Sequence, residues 1–293
     1  MNKFKNGVIM SGRLFRYFSI LSATLSFFIL VGIFLVLYSH SKDAIDTFGF
    51  DFLKSSAWEV GEDDEGGVFG GLIPIVGTIL TTFIAMVVAT PLAMGIAIFL
   101  TEVASEWLIK PVSIAIELLA AIPSIIYGMW GLFYFAPIVQ SSFGGNGIGL
   151  LTAGLVLAIM IIPFMSAITK DSMNTTPDVL KESAYAMGAT KFEVIKDVVM
   201  PYSKSGIIGS IILALGRALG ETMAVAFLLG SVMKIPKNIT DATTSIPVLL
   251  ANNFAEAEDL ELSSMFFLAL ILFGISFVII STAKFYFLGR KVK

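Results

Sequence analysis

The stretch "YFSILSATLSFFILVGIFLVLY", residues 17–38, contains 22 consecutive residues without a charged side chain. The hydrocarbon core of a bilayer is about 30 Å thick, and roughly 20 helical residues cross it. The run is also longer than the about 7–15 apolar residues of a cleavable signal peptide, and no Ala-x-Ala site follows it. We therefore expect a retained transmembrane helix here.

Five further apolar runs of similar length follow, at 72–100, 112–137, 150–168, 206–231 and 264–287. The 293-residue chain is 56% hydrophobic and only 14% charged, with a mean hydropathy of +0.89. Soluble domains are about 45–50% apolar and about 25% charged. Because the runs are continuously apolar, they favour helices over the alternating strands of a membrane barrel. The sequence predicts an all-α integral membrane protein with six transmembrane helices, in which a short N-terminus (1–16) precedes one transmembrane domain (17–293).

The distribution of lysine and arginine predicts the orientation. Fourteen of these residues lie in the N-terminus, the 101–111 loop, the 169–205 loop and the C-terminus, against four in the loops between. Because basic residues accumulate on the cytoplasmic side, we expect both termini in the cytoplasm. Loop 39–67, with the acidic stretch "EDDEGG" at 62–67, and loop 232–262 would then be external. The second contains "TTSIPVLLANNFAEAEDLE", which we expect to form a short amphipathic element at the outer surface.

Several kinds of chemistry are disfavoured by what the sequence lacks. There is no cysteine, His40 is the single histidine, and no Gly-x4-Gly-Lys-Ser/Thr motif occurs. A membrane hydrolase is disfavoured because no Ser/His or two-His/carboxylate set can be assembled from one histidine. We expect no catalytic residue, no metal site, no cofactor and no nucleic-acid partner, and any ATP that drives this protein must bind another chain.

The cytoplasmic loop predicts a helical hairpin. Thr-Pro at 176–177 is typical of a helix start, with threonine as the N-cap and proline at the first helical position. The helix would end at Gly188, since glycine tolerates a left-handed backbone. A second helix would begin at Thr190, which forms a capping-box spacing with Glu193, and would end before Pro201.

The same hairpin carries a resemblance. The segment "ESAYAMGATKFEVIKDVVMP", residues 182–201, resembles the Glu-Ala-Ala-x3-Gly-x9-Ile-x-Leu-Pro loop of the permeases of ABC importers. The positions that carry it are Glu182, Ser183, Ala184, Gly188 and Pro201, with Ser183 in place of the first alanine. The resemblance implies that these residues dock into a groove of a cytoplasmic ATPase subunit.

Two further stretches, "GRALGETMAV" (216–225) and "ELLAAIPSIIYGMWGLF" (117–133), are similar to permeases of phosphate ABC importers. Methionine after Gly-Glu-Thr resembles the C-type subunit, whereas the A-type subunit usually continues with Ala-Pro. The resemblance implies a type I ABC-importer permease in the bacterial inner membrane that moves inorganic phosphate. It also implies four kinds of partner: an A-type permease in a heterodimer, two cytoplasmic ATPase subunits that bind the ATP, an external phosphate-binding protein, and the lipid bilayer. The alternatives are the A-type subunit itself, a permease for another oxyanion or solute, and a secondary transporter.

The charges inside the apolar runs are the first candidates for the substrate pathway. At 1.5 Å per residue, Arg217 lies about 16 Å and Glu221 about 22 Å from the cytoplasmic end of its run, and Glu117 about 8 Å. Each central charge costs roughly 2.5–3.5 kcal/mol on an insertion scale.

Two interpretations of these charges stay open. Arg217 could pair with Glu221 at i, i+4 or with Glu117, as a purely structural device. Alternatively, its guanidinium could bind phosphate oxygens, while Glu221 accepts a hydrogen bond from a P–OH group that sulfate lacks. Thr222, Ser124 and Tyr127 are further candidates for the pathway, although local bonding and packing are the commoner roles of such residues. Pro123 and Pro91 are expected to bend their helices.

Overall fold

The computed structural model describes residues 2–61 and 67–288, with side chains for 15–61 and 67–285. The acidic residues 62–65 and the basic side chains at the chain ends (3, 5, 13, 290, 291 and 293), which supported the predicted orientation, lie outside this part. The helices are α1 (Asn2–His40), α2 (Lys42–Phe48), α3 (Leu72–Ile98), α4 (Glu106–Ala121), α5 (Ser124–Trp130), α6 (Ala136–Phe143), α7 (Leu150–Asn174), α8 (Asp178–Ala186), α9 (Lys191–Glu193), α10 (Met200–Tyr202), α11 (Lys204–Leu219), α12 (Met223–Leu229), α13 (Ile246–Asn253) and α14 (Asp259–Leu288). Two short antiparallel strands, β1 (Trp58–Glu59) and β2 (Val68–Phe69), pair with each other.

Four predicted spans are confirmed as long, unbroken apolar helices. They cover Phe15–His40, Leu72–Val103, Leu150–Asn174 and Asp259–Phe285. Pro91 lies inside α3, which continues through it and ends in a π-helical turn at Phe99–Val103. The helix is longer than a bilayer requires, as the 72–100 run indicated.

The run 112–137 is not one straight span. Its two halves, Glu106–Ala121 and Ser124–Phe143, meet at an angle of 91°. The predicted bend at Pro123 is confirmed, and its cause is local: Ile122 before the proline takes an extended backbone, with φ −65° and ψ 130°. The run 112–137 thus contains two helices, which together can form one broken span.

The run 206–231 is also interrupted, contrary to the predicted continuous helix. The chain bends by 70° just before this run, between Lys191–Tyr202 and Lys204–Leu219, and a second interruption, between α11 and α12, lies within the run itself. The second interruption falls at Gly220, where the absence of a side chain weakens the helix. The charged motif thus occupies a helix break and not a helix face.

The core lies around α7. In its most apolar stretch of 18 residues, 61% of the residues are buried. Helix α3 packs along α7 and buries an alanine at every fourth position: Ala85, Ala89, Ala93 and Ala97. Small residues let membrane helices approach closely where hydrophobicity alone does not drive them together. The helix pairs α5–α12 and α11–α3 complete this layer, while α1 contacts α14 and α2 and leaves its apolar surface exposed.

The loop 232–262 folds back into the bundle. The predicted short helix exists as α13, but Ile246, Val248 and Leu249 are buried, and it packs on α3, α12 and α14. Gly77 of α3 approaches this loop so closely that a Cβ there would overlap the Thr244 carbonyl oxygen. The segment is thus a packed part of the bundle and not a free amphipathic element, because its apolar half needs the bundle to bury it.

Candidate functional site

The candidate site is built around the break between α11 and α12. Gly220, Glu221 and Thr222 connect the two helices, and the side chains satisfy backbone groups that the break exposes. Glu221 Oε1 accepts a hydrogen bond of 3.2 Å from the Ala224 N–H, in the first turn of α12. The Thr222 hydroxyl donates to the Gly220 carbonyl at 3.3 Å, a local bond of the kind expected for it. Glu221 therefore belongs to the start of α12.

Arg217 lies in the last turn of α11 and is half-buried. Its guanidinium carbon lies 5.5 Å from the ring centroid of Phe164 on α7, a cation–π contact. The negative end of the α11 dipole also favours a cation at this position. Both features offset part of the cost of burial, and no carboxylate among the described residues pairs with the guanidinium.

Neither structural pair considered for Arg217 is formed. Within the described residues, Arg217 makes no ion pair with Glu221 or with Glu117. The i, i+4 argument fails because Glu221 is no longer helical, and its carboxylate turns towards α12. Glu117 is exposed on α4, which the bend at Pro123 directs away at a steep angle.

Tyr127 joins the site through packing. Its hydroxyl donates a 2.9 Å hydrogen bond to the Leu119 carbonyl and so ties α5 to the end of α4. Tyr127 belongs to the same buried cluster as Ala218 and Ala224, and the neighbouring Gly128 lies against Ala224 at the start of α12. Ser124, the first residue of α5, is half-buried. The structure thus places Tyr127 near the α11–α12 break, and it leaves Glu117 outside.

The sequence did not predict one set of serine and threonine residues at this site. Thr78, Thr81, Thr82 and Ser245 line one small cavity together with Glu221. The available signal was "TILTT" at 78–82, which places three threonines at i, i+3 and i+4 on one face of an apolar helix. Nothing in the sequence indicated that Ser245, 163 residues further on from Thr82, would meet them.

The predicted hairpin is present, and its turn is confirmed. Gly188 follows α8 with φ +89°, in the left-handed region that favours glycine. Thr190 and Glu193 form the predicted capping box: the Thr190 N–H donates to Glu193 Oε2 at 2.7 Å, and the Glu193 N–H donates to the Thr190 hydroxyl at 3.4 Å. The bond from the Thr190 N–H lowers the pKa of the Glu193 carboxyl, since it stabilises the charged form.

Two details of the hairpin differ from the prediction. Thr176 is not a helix cap, because its hydroxyl lies 3.2 Å from that of Ser203, and α8 starts after Pro177. The second helix does not end before Pro201 but runs through Tyr202, with a π-helical turn at Val194–Val199. A proline lacks the N–H that an α-helix would require, and the wider turn accommodates that loss.

The hairpin has an inner and an outer side. Ala184 packs into the cluster that joins the hairpin to the ends of α3 and α7, and Lys181 forms a 2.6 Å ion pair with Glu102 in the π-turn after α3. Glu182 and Ser183 are exposed, as are the apolar side chains of Met187 (89%) and Phe192 (70%). Polar and apolar groups presented side by side on a protruding turn suit contact with another protein.

Residues 90–293 match the family described as "binding-protein-dependent transport system inner membrane component". The chain belongs to this family of membrane permeases, and it is a multi-pass protein of the bacterial inner membrane. It is 47% identical to the phosphate transport system permease protein PstC of Pasteurella multocida (strain Pm70), over 92% of this chain and 90% of that protein. It is 44% identical to the protein of the same name from Haemophilus influenzae (strain ATCC 51907 / DSM 11121 / KW20 / Rd), over 92% and 91%.

The fold agrees with solved transporters. The chain is similar to a chain of a bacterial alginate ABC transporter, solved in complex with an alginate pentasaccharide-bound periplasmic protein. The TM-score is 0.64, with 14% identity over 93% of each chain. At such low identity the likeness concerns the fold alone, and it confirms the predicted all-α, type I ABC-importer permease fold.

Proposed function

We propose that this chain is the C-type permease subunit of an ATP-driven importer of inorganic phosphate. Relatives at 44–47% identity that are named phosphate transport permeases support the substrate. The Met-Ala-Val that follows Gly-Glu-Thr at 220–222 supports the C-type over the A-type. The chain forms a membrane path and performs no covalent chemistry.

One observation carries the choice of an anion. Arg217 lies half-buried beside a helix break, with an aromatic ring and a helix C-terminus around it and no carboxylate paired with it in the described part of the chain. An unpaired intramembrane charge usually faces a path or a cavity. Arginine keeps its charge in a partly dry site and binds phosphate oxygens with a planar fork of donors. Phosphate supplies the negative charge that this environment lacks.

The outer side of the hairpin around Gly188 docks on a cytoplasmic ATPase in this proposal. Both termini and the hairpin lie in the cytoplasm, and the end that carries α13 faces outwards. An A-type permease completes a heterodimer, two ATPase subunits bind ATP, and an external phosphate-binding protein delivers the anion. No cofactor binds to this chain.

Transport then follows alternating access. ATP binding brings the two ATPase subunits together, and the hairpins move with them. The Lys181–Glu102 ion pair and the packing of Ala184 pass this motion to the ends of α3 and α7. The path opens outwards to accept phosphate, and hydrolysis restores the inward-facing state.

The test is uptake of labelled phosphate by the complex reconstituted in proteoliposomes with its partner subunits and ATP. Arg217→Ala should abolish uptake while the complex still assembles, and Arg217→Lys, which keeps the charge but not the fork, should retain only part. Normal uptake by an assembled Arg217→Ala complex would refute the anion contact. Failure of that complex to assemble would assign Arg217 a structural role.

Two competing functions are separated by the same preparation. Competition by sulfate or molybdate that equals competition by phosphate would indicate a permease for another oxyanion. Uptake that persists without the ATPase subunits, but stops when the proton gradient is collapsed, would indicate a secondary transporter. The docking hairpin argues against the second alternative.

A further inference from the structure

The cavity beside Glu221 is polar where its surroundings are apolar. Its lining includes Thr78, Thr81 and Thr82 of α3, Ser245 before α13 and Glu221, and apolar residues form the rest of its wall. It is narrow, with about 10 Å³, which is room for about one water molecule. Three separate parts of the chain thus bring residues with oxygen-bearing side chains to one small cavity.

Two of these hydroxyls have no partner in the described part of the molecule. Thr81 Oγ1 and Ser245 Oγ are buried, with residue exposures of 2% and 3%, and neither makes a hydrogen bond to a protein group. Buried polar groups are paired in the great majority of cases, because an unpaired one loses its bonds to water without replacement. Both groups therefore need a partner that the protein itself does not supply.

Local bonds were available to both residues and are not used. Thr78, one turn earlier on α3, donates to the Pro74 carbonyl at 2.7 Å and accepts from the Ile246 N–H at 2.9 Å. Thr81 makes no such bond back along its helix, although threonine in apolar helices commonly does. Ser245 occupies the N-cap position of α13, yet its hydroxyl caps no N–H. Both residues line the cavity.

The carboxylate beside them has spare capacity as well. Glu221 Oε1 is held by the Ala224 N–H, while no group among the described residues donates to Oε2. A ligand that fits this set must accept hydrogen bonds from two hydroxyls and donate one to a carboxylate. Singly or doubly protonated phosphate does both, through its oxygens and its P–OH group.

We propose that Thr81 and Ser245 are phosphate-binding residues, and that the cavity is the contracted form of a phosphate site shared by α3, the α11–α12 break and the start of α13. This rests on the proposed function and extends it from Arg217 to a second, hydroxyl-lined position. In the contracted state the cavity holds water. Phosphate enters when the break and the loop before α13 move away from α3.

The test compares variants in proteoliposomes, with the phosphate-loaded binding protein at saturation. Thr81→Val removes the hydroxyl and keeps the shape of the side chain, and Ser245→Ala removes the other hydroxyl. Each should lower the maximal rate of labelled phosphate uptake about tenfold, as expected for a lost hydrogen bond to a charged group. Because the loaded binding protein still triggers ATP hydrolysis, the ATP consumed per phosphate should rise by a similar factor. Thr81→Ser, which restores the hydroxyl, should remain within twofold of the wild type.

Thr244 provides a matched control. Its hydroxyl is also buried and unpartnered, but it does not border the cavity. Thr244→Val should leave uptake within twofold of the wild type. If Thr81→Val and Ser245→Ala also transport within twofold, the hydroxyls hold only water and the inference is wrong, while the proposed function stands on wild-type uptake. If Thr81→Val fails to assemble, Ser245→Ala alone decides. Absence of uptake by the wild-type complex would instead overturn the proposed function.

Discussion

The ion pair between Lys181 and Glu102 joins the cytoplasmic-loop hairpin (α8 to α10) to the π-helical turn at the end of α3. Its atoms are 2.6 Å apart, and the exposed fractions of the two side chains are 18% and 7%. At an effective dielectric constant of about 20, the attraction is about 6 kcal/mol before the cost of desolvating both groups. The cost of desolvating both groups cancels most of that attraction, so the pair makes only a small net contribution to the free energy of unfolding. Removal of one partner alone costs much more, because it leaves the other charge buried without a partner.

The two single substitutions should therefore have unequal effects. Lys181→Met leaves the Glu102 carboxylate, which is only 7% exposed, without its partner. We expect this substitution to lower the free energy of unfolding by about 3 kcal/mol. Glu102→Gln leaves a lysine that is more exposed and flexible enough to reach water, and we expect a cost of about 1–2 kcal/mol. For a chain of this size the first should lower the apparent Tm by roughly 5 °C.

The assay is thermal unfolding of the purified complex, followed by uptake and ATP hydrolysis measured on the same samples. Lys191→Met is the control, because Lys191 is exposed on the same hairpin and should change Tm by no more than about 2 °C. We also expect Lys181→Met to hydrolyse ATP with less phosphate moved per ATP, since only apolar packing then joins the hairpin to α3. Equal Tm values for Lys181→Met and Lys191→Met, together with unchanged coupling, would refute the reasoning.

Three further predictions use single substitutions. Gly188→Ala forces a side chain into φ +89°, at a cost of about 1 kcal/mol, and should reduce co-purification of the ATPase several-fold, whereas Gly209→Ala in an open helical position should not. Gly77→Ala should prevent assembly or lower Tm by more than 10 °C, because its Cβ would overlap a backbone carbonyl. Gly95→Ala on the same helix, with open space around it, should have little effect. Equal Tm values for the two variants would contradict the close packing at Gly77. Tyr127→Phe removes one buried hydrogen bond and should cost about 1 kcal/mol, seen as a Tm lower by a few degrees, and an unchanged Tm would show that the bond contributes nothing.

The sequence predicted those features that depend on neighbouring residues. Apolar length indicated the helices, the Gly188 turn and the Thr190–Glu193 capping box were correct, and Pro123 marked a real bend. Each of these follows from local backbone preferences or from the thickness of the bilayer. The family resemblance then agreed with the fold.

The features that were missed depend on contacts between distant segments. The i, i+4 spacing predicted that Arg217 and Glu221 share one face of a helix. That prediction failed because the hydropathy of the run does not reveal the break at Gly220. The burial of α13 depends on close approach to Gly77, and the same contact brings Ser245 and Thr81 to one cavity. Periodicity describes one helix at a time, so it cannot show where a loop re-enters the bundle.

The shortness of α12 has an electrical consequence. Its seven residues span about 10 Å, so in the proposed orientation the helix break lies about one third of the way through the hydrocarbon from the outer surface. A membrane potential of 100 mV costs about 2.3 kcal/mol for each anionic charge carried fully inwards, and about two thirds of this remains beyond the break. In the proposed function, phosphate meets about one third of this cost, about 0.8 kcal/mol for each charge, on its way to the break. The larger share falls on the proposed inward release from the break, which ATP would have to drive.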